Sequence, residues 1–369
     1  TCHTVMEPEN ITYQNSPHAQ VPCAECHIGS GASFWVRSKI DGIRQVVKTL
    51  TNTYDRPIAT PVENLRPAQQ TCEQCHWPSQ FYGRKLITQH YYRSDEPNSP
   101  WTISLAVNVG GGEGTQDAGS DGIHYHMLAG KTIEYLAVDD KRQVIPWVRV
   151  TRDDGTVSVF SDPNIPYPDP DDSDTQLRTF DCVDCHNRPS HQFLPPAVAV
   201  NEAIMIGNIS RDLPFVRRNG LELLNAPYET HEEAEETIRS ALTAFYWETY
   251  PDRADALSGE IERAADTLVD IYAHNFFPEM KTDYRAHLNN LSHFVNEGCF
   301  RCHGSNKVDE SGNTITKECN ACHSIVAQGP SDSLDGLDQD LTGLEFVHPV
   351  DIGDTWQEIN CTGCHTPEE

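Results

Sequence analysis

Residues 299–323 read CFRCHGSNKVDESGNTITKECNACH, and the words at either end, CFRCH and CNACH, share one pattern: two cysteines three apart, with a histidine directly after the second. The pattern recurs as CAECH at 23–27, CEQCH at 72–76, CVDCH at 182–186 and CTGCH at 361–365. These six words use twelve of the thirteen cysteines, so no pair remains for a disulfide. The spacing is that of covalent haem attachment: two thiols add to the porphyrin vinyl groups, and the next histidine falls under the iron. Structural zinc also uses paired cysteines at this spacing, but it does not require a histidine after every second one.

The thioether cysteines are then Cys23 and Cys26, Cys72 and Cys75, Cys182 and Cys185, Cys299 and Cys302, Cys319 and Cys322, and Cys361 and Cys364. The chain opens with Thr1-Cys2-His3, the end of the same word, so Cys2 and His3 read as the remainder of a seventh site whose first cysteine lies upstream. The proximal set becomes His3, His27, His76, His186, His303, His323 and His365, and the cofactor heme c, seven copies.

Composition agrees with a core made of porphyrin. Hydrophobic residues are 37% of 369, while 24 prolines and 23 glycines demand much irregular backbone. Such a chain should not fold without its cofactor, because binding and folding are coupled. No apolar run of about 18 residues is present to cross a bilayer. The net charge of −28, from 55 acidic against 27 basic residues, repels nucleic acid and attracts basic partners.

Whether each iron is closed depends on its second axial position. Of 17 histidines, ten lie outside the words. Candidate distal ligands are His18, His90, His124, His126, His191, His287, His293 and His348, with Met6 a further candidate for the first haem. His124 and His126, two apart in GIHYHM, are predicted to face one side of a strand and serve neighbouring haems. His231, behind a capping box formed by Thr230 and Glu233, reads as a solvated first-turn residue, and His274 as a packed helix-end residue. Iron held between two histidines passes electrons and binds no substrate.

The words leave two haem-dense ends and a haem-poor middle. Alternation in WTISLAVNV, KTIEYLAV, VIPWVRV and TVSVF predicts one small antiparallel sheet over 101–160, followed by an acidic, proline-rich linker at 161–175. GGGEG at 110–114 reads as a turn. From 228 to 278, the stripes Ile238–Leu242–Phe245 and Ile261–Ala265–Leu268–Tyr272, ended by Pro251 and Pro278, predict a helical hairpin. The expected fold class is a multihaem cytochrome c: a mostly irregular, short-helical chain wrapped round covalent haems, with a small antiparallel β insert and a helical hairpin. Its expected domains are 1–100 (haems 1–3), 101–175 (β insert and linker), 176–298 (haem 4 and hairpin) and 299–369 (haems 5–7).

The run CHTVMEPENITYQNSPHAQVPCAECHIG followed by CEQCHW resembles the NapC/NirT/NrfH multihaem cytochromes. The remainder, with CHNRPSH, FFPEMKTDYR, GCFRCHG, CNACHSI and HPVDIGDTW, is similar to longer members described as NapC/NirT or cytochrome c3-like. The resemblance implies a transmembrane helix before the first word. It also implies export to the periplasmic side of a bacterial membrane or beyond, and electron relay from membrane quinol or a membrane complex to other redox proteins. It makes His18 a distal ligand and Met6 a first-haem ligand, although Met6 stands three residues past His3, one further than the methionine of the quinol-oxidising branch. Lys307 stands where the longer members carry histidine, so the fourth complete word is expected to draw on His287 or His293 instead. Electron transfer rather than catalysis is the expectation, with a quinol dehydrogenase role open. Two rivals are an extracellular conductive filament of self-associated subunits, and an oxidoreductase with one open haem acting on a small nitrogen or sulfur compound.

Overall fold

The computed structural model describes residues 5–28, 32–62, 65–77, 80–110, 122–127, 130–304, 306–331, 334 and 342–366. Helices α1 (Glu7–Gln14) and α2 (Ala32–Leu50) precede the sheets; α3 (Pro196–Met205), α4 (Val216–Asn225), α5 (His231–Thr249) and α6 (Pro251–Asn275) make a helical body. Among the described residues no helix is long and apolar enough to cross a membrane.

The α5–α6 hairpin is the one the stripes predicted, with a correction to its seam. Ile238, Leu242 and Tyr246 are fully buried, four residues apart on one line, against Ile261, Ala265, Leu268 and Tyr272. Phe245 sits only partly buried at the edge of this cluster. Tyr246 can take the inner place because its hydroxyl donates to the Pro214 carbonyl at 3.0 Å, leaving no buried polar atom unpaired. Burying a side chain such as Leu242 stabilises by about 1.5–3 kcal/mol, so the hairpin has its own aliphatic core. Pro251 does more than stop α5: it occupies the first turn of α6, where its missing N–H costs nothing. Thr230 caps α5 by accepting from Glu233 N at 3.1 Å, but the Glu233 carboxylate reaches Glu229 N instead of closing the box on Thr230.

Helix α4 approaches the hairpin closely because Gly220 has no side chain; a Cβ there would lie 3.2 Å from Leu268 Cδ2 and 3.4 Å from Val200 Cγ2.

The strands form two antiparallel sheets, not one. Strands β1 (Gly83–Tyr92), β2 (Pro100–Gly110), β3 (Lys131–Leu136), β4 (Trp147–Arg152), β5 (Val157–Ser161), β6 (Arg178–Thr179) and β7 (His323–Pro330) order as β1–β2–β7 and β5–β4–β3–β6. The stretch WTISLAVNV thus pairs with an upstream strand and with one that starts on His323, 107 with 323 in register. Its alternate residues Thr102, Ser104 and Ala106 are buried, so the buried side of β2 is mostly polar. Ile133, Tyr135, Ile145 and Val148 make the small core of the second sheet. Asp162, in the acidic stretch, is buried and accepts from Asn164 N at 2.9 Å. Apart from Gly110, the GGGEG turn lies outside the described residues.

Asn98, in the β1–β2 loop, fastens the first sheet to the helical body. Its Nδ2 donates to the Arg211 and Leu213 carbonyls at 3.0 and 2.8 Å, and its Oδ1 accepts from Arg217 N at 3.0 Å.

Candidate metal centres

Each complete word closes on itself as a single turn. The histidine N–H donates to the first cysteine's carbonyl in CEQCH (2.8 Å), CVDCH (2.8 Å), CFRCH (3.0 Å) and CTGCH (2.8 Å). The neighbouring fold holds these turns in place. Asp181 and Asp184 form a reciprocal capping box around CVDCH, and Asp184 also accepts from Tyr135 Oη and Arg178 Nε, each at 2.6 Å. Arg301, inside CFRCH, is buried and donates to the Gly298, Arg142 and Asp184 carbonyls, tying two words together through their variable positions. Gly298 enters CFRCH at φ +45°, and a Cβ there would land on the Ser292 carbonyl oxygen, so only glycine fits.

Opposite every described word histidine stands a second imidazole. Ring centres are 6.0 Å apart for His18–His76, 6.2 Å for His27–His191, 6.4 Å for His124–His186, 5.6 Å for His126–His303, 6.0 Å for His293–His323 and 5.8 Å for His348–His365. Two imidazoles bound trans to one ion at about 2 Å per bond would have ring centres about 6 Å apart. The gap between His126 and His303 is bounded by their Nε2 atoms, 3.4 Å apart.

The distal rings also present the right nitrogen. Nδ1 donates to a backbone carbonyl in His18 (Pro189, 3.0 Å), His124 (Val109, 3.0 Å), His126 (Ile123, 3.1 Å) and His191 (Glu9, 2.9 Å). A carbonyl can only accept, so each neutral ring carries its proton on Nδ1 and offers the Nε2 lone pair. Burial lowers His124, His126 and His191 from the usual imidazole range, His126 to about 4 with help from His303. Burial, and then Cys299, pushes the Cys185 thiol up to about 12. Among the described residues no three His, Cys, Asp or Glu side chains converge to hold an ion by themselves. Two axial nitrogens and a pair of thiols, with equatorial donors left to something else, fit a porphyrin and not zinc.

The cytochrome c-type protein ImcH of Geobacter sulfurreducens is 41% identical to this chain over 365 residues, covering 99% of this chain and 70% of that protein. The chain belongs to the same family of c-type cytochromes. Heme c is its cofactor, electron transfer its general activity, and export its destination. No family model matches the chain, and no solved structure matches it.

Several sequence expectations for this cytochrome need correction. His124 and His126 lie in a tight turn over 122–127, not on a strand, and reach separate partners, His186 and His303, by pointing out of that turn. The fourth complete word therefore faces His126, while His293 faces His323 and His287 faces neither. Lys307 is buried beside Cys302. His231 is half-buried between Tyr272 and Phe277, and its Nε2 donates to the Phe276 carbonyl at 2.7 Å, so its metal-binding nitrogen is spent. His274 is exposed and bonded to Asp270 of its own helix. His90 is half-buried with Nδ1 on Thr102. Met6 is 44% exposed before α1, while Cys2 and His3 lie outside the described residues.

Nothing in the sequence points to the rings that pack on these imidazoles: Phe81 on His124 (4.5 Å), Phe180 on His126 (4.9 Å), Phe300 on His293 (4.5 Å) and Phe294 on His365 (4.6 Å). Only Phe300, inside CFRCH, could have been suspected.

Consecutive words are neighbours in space. Burial raises the Cys26 thiol, and Cys72 adds to it; Cys72 likewise adds to burial at Cys182, pushed up to about 11. Cys299 acts on Cys185 and on Cys322, and Cys319 on Cys361, in each case behind burial.

Proposed function

We propose that this cytochrome carries seven heme c groups as one unbranched relay that runs in sequence order, each iron closed by two histidines. The observation that carries the reading is the coincidence of two patterns. Six words each face a distal imidazole, and each word lies within electrostatic reach of the next, from 23–27 through 361–365. Iron with both axial positions filled has no site for a substrate, so its remaining chemistry is outer-sphere electron exchange.

For the first haem, with Cys2 and His3, the distal ligand is His287 in preference to His90 or Met6. His287 is 2% exposed, its Nδ1 is held 3.2 Å from Thr60 Oγ1, and its buried Nε2 has no partner. Phe193, which packs on the His287 ring, belongs to the cluster against which Val5 lies. Electrons enter at the NapC/NirT-like N-terminal part (1–100) from membrane quinol or a membrane complex. They pass haem 4 in 176–298, beside the β-rich 101–175, and leave through 299–369 to periplasmic or extracellular redox partners.

Electron paramagnetic resonance of the oxidised protein, with carbon monoxide binding to the reduced form, tests this reading. Low-spin ferric signals alone and no carbon monoxide uptake are expected. A high-spin ferric signal amounting to a whole site would refute the closed relay, and an intact mass with other than seven haems would refute the count.

A further inference from the structure

Helix α2 is amphipathic the wrong way round. Val36, Ile40, Ile43, Val47 and Leu50, three and four residues apart, form one stripe along the helix, and all are exposed: Ile40 by 63%, Ile43 by 68% and Leu50 by 77%. The half-buried positions are Ser38, Asp41, Gly42, Lys48 and Thr49, on the opposite side. A helix that served only the core would show its apolar face inward and its polar face outward. Here the polar side meets the protein. The stripe spans about 21 Å, longer than one porphyrin edge.

Charge identifies what covers it. In a chain of net charge −28, α2 carries Arg37, Lys39, Arg44 and Lys48 against one acid, Asp41. Lys39 and Arg44 are exposed at the margins of the stripe, one on each side at helical spacing. A second copy of so acidic a chain would be repelled across most of its surface, whereas an anionic bilayer is attracted where lysine and arginine flank an apolar stripe, as they do on this helix. We propose that α2 is an in-plane membrane anchor: it lies in the headgroup layer of an anionic phospholipid surface, stripe inward and lysine and arginine at phosphate level. This orients the relay against the bilayer independently of how many haems it holds or where its electrons come from.

The test is flotation of the haem-loaded 369-residue chain with phosphatidylcholine vesicles, with and without phosphatidylglycerol. The chain should float with the anionic vesicles, less so at high salt. The triple variant Ile40→Asn, Ile43→Asn, Val47→Asn should lose about tenfold or more of the binding, and Lys39→Gln with Arg44→Gln should lose several-fold and most of the salt dependence. Haem content and visible spectrum should be unchanged in both. Four results would overturn the proposal: no flotation of the parent chain, equal flotation of the triple variant, loss of haem in it (the stripe then covers porphyrin), or a dimer that the triple variant dissolves without vesicle binding.

Discussion

Replacing His126 with alanine removes one half of the most closely spaced imidazole pair, His126 Nε2 to His303 Nε2 at 3.4 Å. On the proposed assignment the iron held by Cys299 and Cys302 would keep His303 alone, and the space vacated is bordered by Phe180, 4.9 Å from the lost ring. The nearest histidine in sequence, His124, is occupied 6.4 Å from His186, with its Nδ1 on the Val109 carbonyl. One site per molecule should become five-coordinate, about one in seven of the irons on the proposed count. Losing the ring's contacts with Phe180 and Tyr125 costs about 0.5–1.5 kcal/mol each, which a folded holo protein survives. The assay is spin quantitation of the high-spin ferric signal, carbon monoxide stoichiometry on the reduced protein, and added imidazole, which should restore the low-spin spectrum. His274→Ala is the control, because that ring is exposed and bonded to its own helix at Asp270. Fully haem-loaded His126→Ala with no high-spin signal and no carbon monoxide uptake would sink the assignment, as would equal uptake by the control.

Four further outcomes are expected. His287→Ala should open a site by the same measures while His90→Ala does not; the reverse result would move the first haem's ligand to β1. The oxidised protein should show two kinds of low-spin signal, since the His124 and His186 rings are 5° from parallel and those of His126 and His303 are 85° apart, and crossed rings split the iron orbitals far less; a single signal class would contradict the ring geometry. Asn98→Ala deletes three hydrogen bonds at a fully buried residue with φ 47° and should cost about 3 kcal/mol, read as a lower urea midpoint of the holo protein; a shift below about 1 kcal/mol would mean the sheet–helix junction is held elsewhere. Gly298→Ala should yield protein one haem short by intact mass, because the turn entering CFRCH cannot form; full loading would show that the Ser292 carbonyl can retreat.

The attachment words were legible because their chemistry is local. Two thiols and an imidazole within five residues need only one turn of backbone, so CVDCH or CTGCH states its purpose wherever it lies. Distal ligands are another matter. His126 meets His303 across 177 residues, and nothing local to GIHYHM says so. His124 and His126 lie opposite the histidines of two different words, and they do so from the turn at 122–127, not from a strand. The Lys307 expectation differs for a related reason: sequence proximity stood in for spatial proximity, and the imidazole opposite His303 is His126, from the turn at 122–127.

The sheets show where periodicity runs out. Alternation located β2 through β5, but β1 carries Thr88, Gln89 and His90, and β7 begins on the histidine of a haem word, so neither reads as a half-buried apolar strand. Both are strands because β2 lies between them and supplies the pairing, with Thr88 and Ser104 hydroxyls bonded across at 2.9 Å. Helix α2 makes the complementary point. Its three-and-four spacing is plain in the sequence and would ordinarily place Ile40 and Ile43 in the core. Period reports that a helix has an apolar side; only the packed chain reports which way that side turns, and on α2 it turns outward.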